Sequence, residues 1–144
     1  MSEKYTYSSL LNNILELEKR VKALYEKLSE ESSGTLAEIF REFAVKSEDR
    51  INRVNWTRQM TVLEMTLEYI TGIPLKRAIE EVDEIIRSKS GPIQKAIKVE
   101  EILSKIYKIS SDKIGFMSMD ASLLLDEMAR ESSERIKRLI GLQA

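Results

Sequence analysis

The 144-residue chain contains no cysteine and no histidine. Without cysteine there is no disulfide, no iron–sulfur cluster and no thiolate zinc site within one chain. Without histidine the usual acid–base catalyst at neutral pH is missing, and so is the commonest ligand of transition metals. Any metal would have to be held by oxygen ligands alone. Neither sign of charge is in excess: 23 basic residues face 24 acidic ones, for a net charge of −1. That balance argues against a dedicated nucleic-acid surface. No apolar run approaches the roughly 20 residues of a membrane span. The start, residues 1–5, lacks the apolar core of a signal peptide. These absences predict a cytoplasmic protein without a membrane anchor. No segment alternates with period 2, so no sheet is expected, and there is no low-complexity tract.

What remains is ordinary for a globular protein: 42% hydrophobic and 33% charged residues. The length fits a single domain, 1–144, able to bury a core without staples. Abundant Lys and Glu beside the missing Cys and His give a thermophile-like composition.

Helical periodicity dominates. Leu11, Ile14, Glu18, Val21, Tyr25 and Leu28 lie alternately three and four residues apart, which predicts a first helix from Tyr7 or Ser8 to Glu30. Ser32, Ser33 and Gly34 form a short turn, with Thr35 as the expected N-cap of the next helix. Its shortness makes that helix antiparallel to the first. Leu36, Phe40, Phe43, Ser47, Arg50 and Val54 then repeat the spacing, and Trp56, Met60, Leu63, Leu67 and Ile70 continue it. An unbroken helix from Leu36 to Ile70 would be on the order of 50 Å long. It would overhang its neighbour unless it bent near Asn55. Gly72 and Pro74 stop it.

A short amphipathic helix, Leu75 to Ser88, completes a crossover over 71–91. Gly91 and Pro92 open a further helix, to Ile114. A last helix runs from an Asp120 cap to Ile140. The expected fold is therefore all-α: hairpin one over 7–70, the crossover, and hairpin two over 92–142.

The hairpins carry matching patterns. Glu18 precedes Tyr25 by seven residues, and Glu100 precedes Tyr107 by seven. The motif Ala-x-x-Ser-x-x-Arg-Ile occurs at Ala44–Ile51 and again at Ala129–Ile136. Relative to Leu36, Arg50 is rotated by about −40° at 100° per residue, and Arg135 has the same angle relative to Ala121. Glu18, Ser47, Arg50, Glu100, Ser132 and Arg135 thus all fall within apolar stripes. Charged side chains are almost never buried unless paired, so two Glu–Arg pairs are expected across the core, with Tyr25 and Tyr107 in support.

On these residues the chain resembles the ferritin-like superfamily, in its rubrerythrin-like branch. That resemblance implies a four-helix bundle of two antiparallel hairpins joined by a long crossover. The family's di-iron site takes one Glu from each of two helices and a Glu-x-x-His from each of the other two. Glu18 and Glu100 stand at the first kind of position. Ser47-x-x-Arg50 and Ser132-x-x-Arg135 stand at the second. The resemblance covers roughly 10–54 and 93–142. Of six ligands only the two Glu survive, and an Arg of permanent charge replaces each His. The di-iron chemistry is expected to be lost with them, leaving no cofactor.

Three functions follow as expectations. The first is a non-catalytic structural or protein-interaction module, assembled as a homodimer or with another protein through Trp56, Met60, Leu63 and Leu67. The second is an atypical metal-binding oxidoreductase using Glu18 and Glu100, helped by Glu48 or Glu131. The third is a regulatory or nucleic-acid-associated adaptor using Arg53, Arg58, Lys76 and Arg77.

Overall fold

A computed structural model describes residues 3–60 and 69–143. They are all-helical apart from one two-residue strand pair. In chain order the elements are β1 (Lys4–Tyr5), α1 (Tyr7–Glu31), α2 (Gly34–Met60), β2 (Ile70–Thr71), α3 (Leu75–Arg87), α4 (Pro92–Ile114) and α5 (Met119–Gly141). Helix α1 packs along α2, and α4 along α5, each pair joined by a turn too short for any other arrangement. The two hairpins meet through α1–α4 and α2–α5 contacts, and α3 packs on α1 and α4. Among the described residues no helix is long and apolar enough to cross a membrane.

Helix α1 begins where its cap dictates. The Thr6 side chain accepts from the Ser9 amide at 3.0 Å, and the Ser9 hydroxyl accepts from the Thr6 amide at 2.9 Å. This reciprocal box satisfies two otherwise orphaned donors. Thr6→Ala is expected to lower stability by about 1 kcal/mol. An unchanged urea midpoint would mean that water replaces the cap at no cost.

Four local expectations are corrected. Thr35 lies inside the first turn of α2, because Gly34 adopts φ 61° and starts the helix. The N-cap of α5 is Ser118, whose hydroxyl accepts from the Ala121 amide at 3.1 Å, and Asp120 sits in the first turn. A sheet exists: β1 and β2 pair antiparallel, with Lys4 opposite Thr71 and Tyr5 opposite Ile70. Two residues per strand are too few to show a period-2 signal. Finally, no helix reaches Ile70, which is extended and buried. β-Branched Ile70 and Thr71 suit a strand, and Gly72 at φ 83° turns the chain towards Pro74. Residues 61–68, including Leu63 and Leu67, lie outside the described residues.

The core is filled by the predicted stripes: Leu10, Ile14, Leu17 and Val21 of α1, Phe40, Phe43 and Val54 of α2, Ala96, Leu103 and Ile106 of α4, and Leu125, Met128 and Leu139 of α5. Val99, outside the predicted stripe, is buried as well, whereas Ile93 and Ile97 are only half-buried. Leu75, Ala78 and Val82 bury the inner face of α3, which Arg20 of α1 also ties down through Asp83 at 3.1 Å. Tyr25 packs on Phe40 and Phe43, with ring centroids 6.0 and 5.3 Å apart.

Candidate functional site

All eight polar positions singled out from the repeat are buried: Glu18, Tyr25, Ser47, Arg50, Glu100, Tyr107, Ser132 and Arg135. They sit at mid-length of the four long helices because each occupies an inward step of its helix's stripe. Arg50 Nη1 donates to Glu18 Oε1 at 3.0 Å, and Arg135 Nη1 donates to Glu100 Oε2 at 3.1 Å. Each ion pair therefore lies within one hairpin. The tyrosines cross between hairpins. Tyr107 of α4 donates to the same Glu18 oxygen at 2.5 Å, and Tyr25 of α1 donates to the same Glu100 oxygen. These crossed bonds set α1 and α4 antiparallel. The serines cross as well: Ser132 accepts from Arg50 at 3.0 Å and Ser47 from Arg135 at 3.5 Å.

The result is two Glu–Arg–Tyr triads related by an approximate two-fold. Each joins a carboxylate, a guanidinium and a phenol at a single carboxylate oxygen. The other oxygens, Glu18 Oε2 and Glu100 Oε1, are buried without a hydrogen-bond partner among the described residues. Burial draws the Arg50 pKa down, but Glu18, Glu100, Tyr107 and Glu131 outweigh it and hold it above the usual arginine value. Arg135 is likewise raised: burial and the nearby Arg50 oppose the shift, and Glu100, Tyr25 and Glu18 prevail. Burial, then the adjoining carboxylate, pushes Tyr25 and Tyr107 well above the ordinary phenol value despite the neighbouring Arg.

Arg50 is the better satisfied of the two cations. Nη2 also reaches the Met128 carbonyl at 2.9 Å, and Nε donates to Glu131 at 3.1 Å. Glu131 in turn accepts from Arg53 at 3.2 Å. Burial alone would raise its pKa; Arg50 and Arg53 overcome that and lower it. From the sequence Glu131 lay beside the core stripe. Its signal was the position directly before Ser132, which brings its carboxylate alongside the facing Arg50. Glu48 behaves differently, pairing outward with Lys22 at 2.9 Å.

The group does not fit a di-iron centre. Oxygen-ligated metals take about six or more oxygens, and here two carboxylates are each already held by a guanidinium. Among the described residues no group of three or more Asp, Glu, His or Cys converges on one point.

Outside the core, Trp56 and Met60 are exposed, at 65% and 61% of their full accessible surface. Arg53, Arg58 and Arg77 are all engaged internally: Arg53 by Asp49, Glu127 and Glu131, Arg58 by Asn12 and Asn55, and Arg77 by Glu81. The Lys76 amide donates to Glu3 at 3.0 Å. These cations are spread over α2 and α3 and form no basic stripe. Comparison with protein-family models, with curated proteins and with solved structures gives no significant match.

Proposed function

We propose that this chain is a four-helix bundle on the ferritin-like, rubrerythrin-like plan, in which two Glu–Arg–Tyr triads stand where the di-iron centre would lie. In this reading it is a non-catalytic structural or protein-interaction module of the cytoplasm. The observation that carries the reading is the placement of the Arg50 and Arg135 guanidinium groups 3.0 and 3.1 Å from the two remaining carboxylates. Each Arg stands at a position where the resemblance implies a His ligand. Two fixed positive charges repel a metal cation and neutralise the carboxylates that would attract it. The centre has no His and no Cys, and its Glu and Tyr side chains, which could serve as acid or base elsewhere, are tied to one another and to the two Arg.

The partner surface assigned by this reading is the exposed end of α2 at Trp56 and Met60. A second copy of the chain, related by a two-fold, is its first candidate occupant.

Elemental analysis after refolding with iron, manganese and zinc tests the proposal. Substoichiometric metal together with no consumption of peroxide is the expected result. Tight stoichiometric iron with peroxide turnover would sink it. The oxidoreductase reading would then take its place, with the free oxygens of Glu18 and Glu100 as its starting point.

A further inference from the structure

The two-fold relation extends beyond the triads, and at one position it reverses the sign of a charge. A shift of 85 residues carries Glu42 to Glu127, Asp49 to Glu134, Arg50 to Arg135 and Arg53 to Arg138. The outer ion pairs obey it: Arg53 holds Glu127, and Arg138 holds Glu42. The same shift carries Lys46 to Glu131. In one half, then, the Glu131 carboxylate lies between Arg50 and Arg53, accepting at 3.1 and 3.2 Å. In the other half Arg135 and Arg138 hold the equivalent places, and the third residue is a cation.

The consequence is visible at Arg135. It is only 5% exposed, yet among the described residues it donates through Nη1 alone. Its Nη2 is buried with no partner. A buried donor without an acceptor keeps an uncompensated desolvation penalty. Arg135 lines a groove of about 350 Å³ between α2 and α5, together with Phe43, Lys46 and Arg138. The Phe43 ring holds both guanidinium groups close, 5.2 Å from Arg135 and 5.8 Å from Arg138. On the same walls, Asp49 is taken by Arg53 at 3.0 Å, Glu131 is taken by Arg50 and Arg53 at the far end, and Glu134 contributes a third carboxylate. Glu42, already bound by Arg138, also reaches Lys46 at 3.6 Å.

We propose that this groove is a binding site for a small oxyanion, whose oxygens accept from Arg135, Arg138 and Lys46 as the Glu131 carboxylate accepts from Arg50 and Arg53. The ligand class is a carboxylate or phosphate group on a small molecule. Planar guanidinium groups recognise both.

Thermal unfolding in increasing acetate or inorganic phosphate, with ionic strength held constant by chloride, tests the site. Wild-type protein is expected to show a saturable rise in Tm. Lys46→Glu restores the missing carboxylate from within. It is expected to melt higher than wild type without added anion, and to bind either probe about tenfold more weakly or worse. Lys89→Glu makes the same charge change at an exposed position in the α3–α4 link and is expected to keep the wild-type response. A larger response to acetate identifies the ligand as a carboxylate, and a larger response to phosphate identifies a phosphate. A non-saturating effect, or equal losses in the two Lys variants, would overturn the proposal.

Discussion

Replacing Arg50 by alanine is expected to cost about 3–5 kcal/mol of stability, the range for removing one partner of a buried ion pair. The guanidinium uses all three of its nitrogens, on Glu131, Glu18, the Met128 carbonyl and Ser132. Its loss strands the Glu18 carboxylate in a fully buried place beside Tyr107. Urea unfolding measures the cost. The double variant Arg50→Ala, Glu18→Ala is expected to lose less than the two single losses added, because it leaves no orphaned charge. Strict additivity would show that the pair carries no coupling energy. Arg135→Ala is expected to cost less than Arg50→Ala, since Arg135 has fewer acceptors to leave behind.

The second large effect concerns alkali. Tyr25 and Tyr107 are fully buried, and burial together with the adjoining carboxylates raises their pKa well above 10.0. A group whose folded pKa is raised contributes stability that is complete below its unfolded pKa and is lost as the pH rises. Above about pH 10 the unfolded chain ionises these phenols while the folded chain keeps them protonated. Each tyrosine then removes about 1.4 kcal/mol per pH unit, roughly 3 kcal/mol for the two together. Urea midpoints measured from pH 8 to 11.5 should fall along that slope, with the tyrosinate absorbance of Tyr25 and Tyr107, read as the difference from a variant carrying phenylalanine at both, appearing only as the chain unfolds. The variant Tyr25→Phe, Tyr107→Phe should flatten the slope while lowering stability near pH 8, where Glu18 and Glu100 lose their phenol donors. A rise of that difference absorbance in the folded protein at pH 10 would contradict the burial of these two phenols.

Much of this centre was legible in the residues. A Glu or an Arg in the middle of an apolar stripe has no inexpensive place unless it finds a partner, so the repeat forecast buried pairing before any distance was known. Which Glu meets which Arg was not legible. Periodicity fixes the angle of a side chain about its own helix but not the register between helices. Glu131 was named as a carboxylate beside the stripe, but its pairing with Arg50 and Arg53 was not legible, for a related reason. It sits on the flank of its stripe, and only the approach of α2 to α5 brings Arg50 and Arg53 onto it. The clip of β1 on β2 joins Lys4 to Thr71 and Tyr5 to Ile70, far apart in the chain, through two-residue strands too short for any pattern to register. At the start of α5, Ser118 and Asp120 are both good caps. The turn, with the Met117 and Ser118 amides donating to the Ile114 carbonyl at 2.9 and 3.1 Å where the Met117 bond ends on that same oxygen, decided for the earlier residue.

The division of labour within the two triads bears on how the molecule assembles. Both ion pairs join helices that follow one another in the chain, so each hairpin can neutralise its own central charge as soon as it forms. The tyrosine and serine bonds then link one hairpin to the other. Docking therefore brings neutral hydroxyls to the central carboxylates, which enter the interior with their counterions already in place, while the pairs of Arg50 and Arg53 with Glu131 and of Arg138 with Glu42 close between the hairpins nearer the surface. A folding route in which local hairpins form first and join late meets its largest electrostatic barrier early, where solvent still reaches both charges.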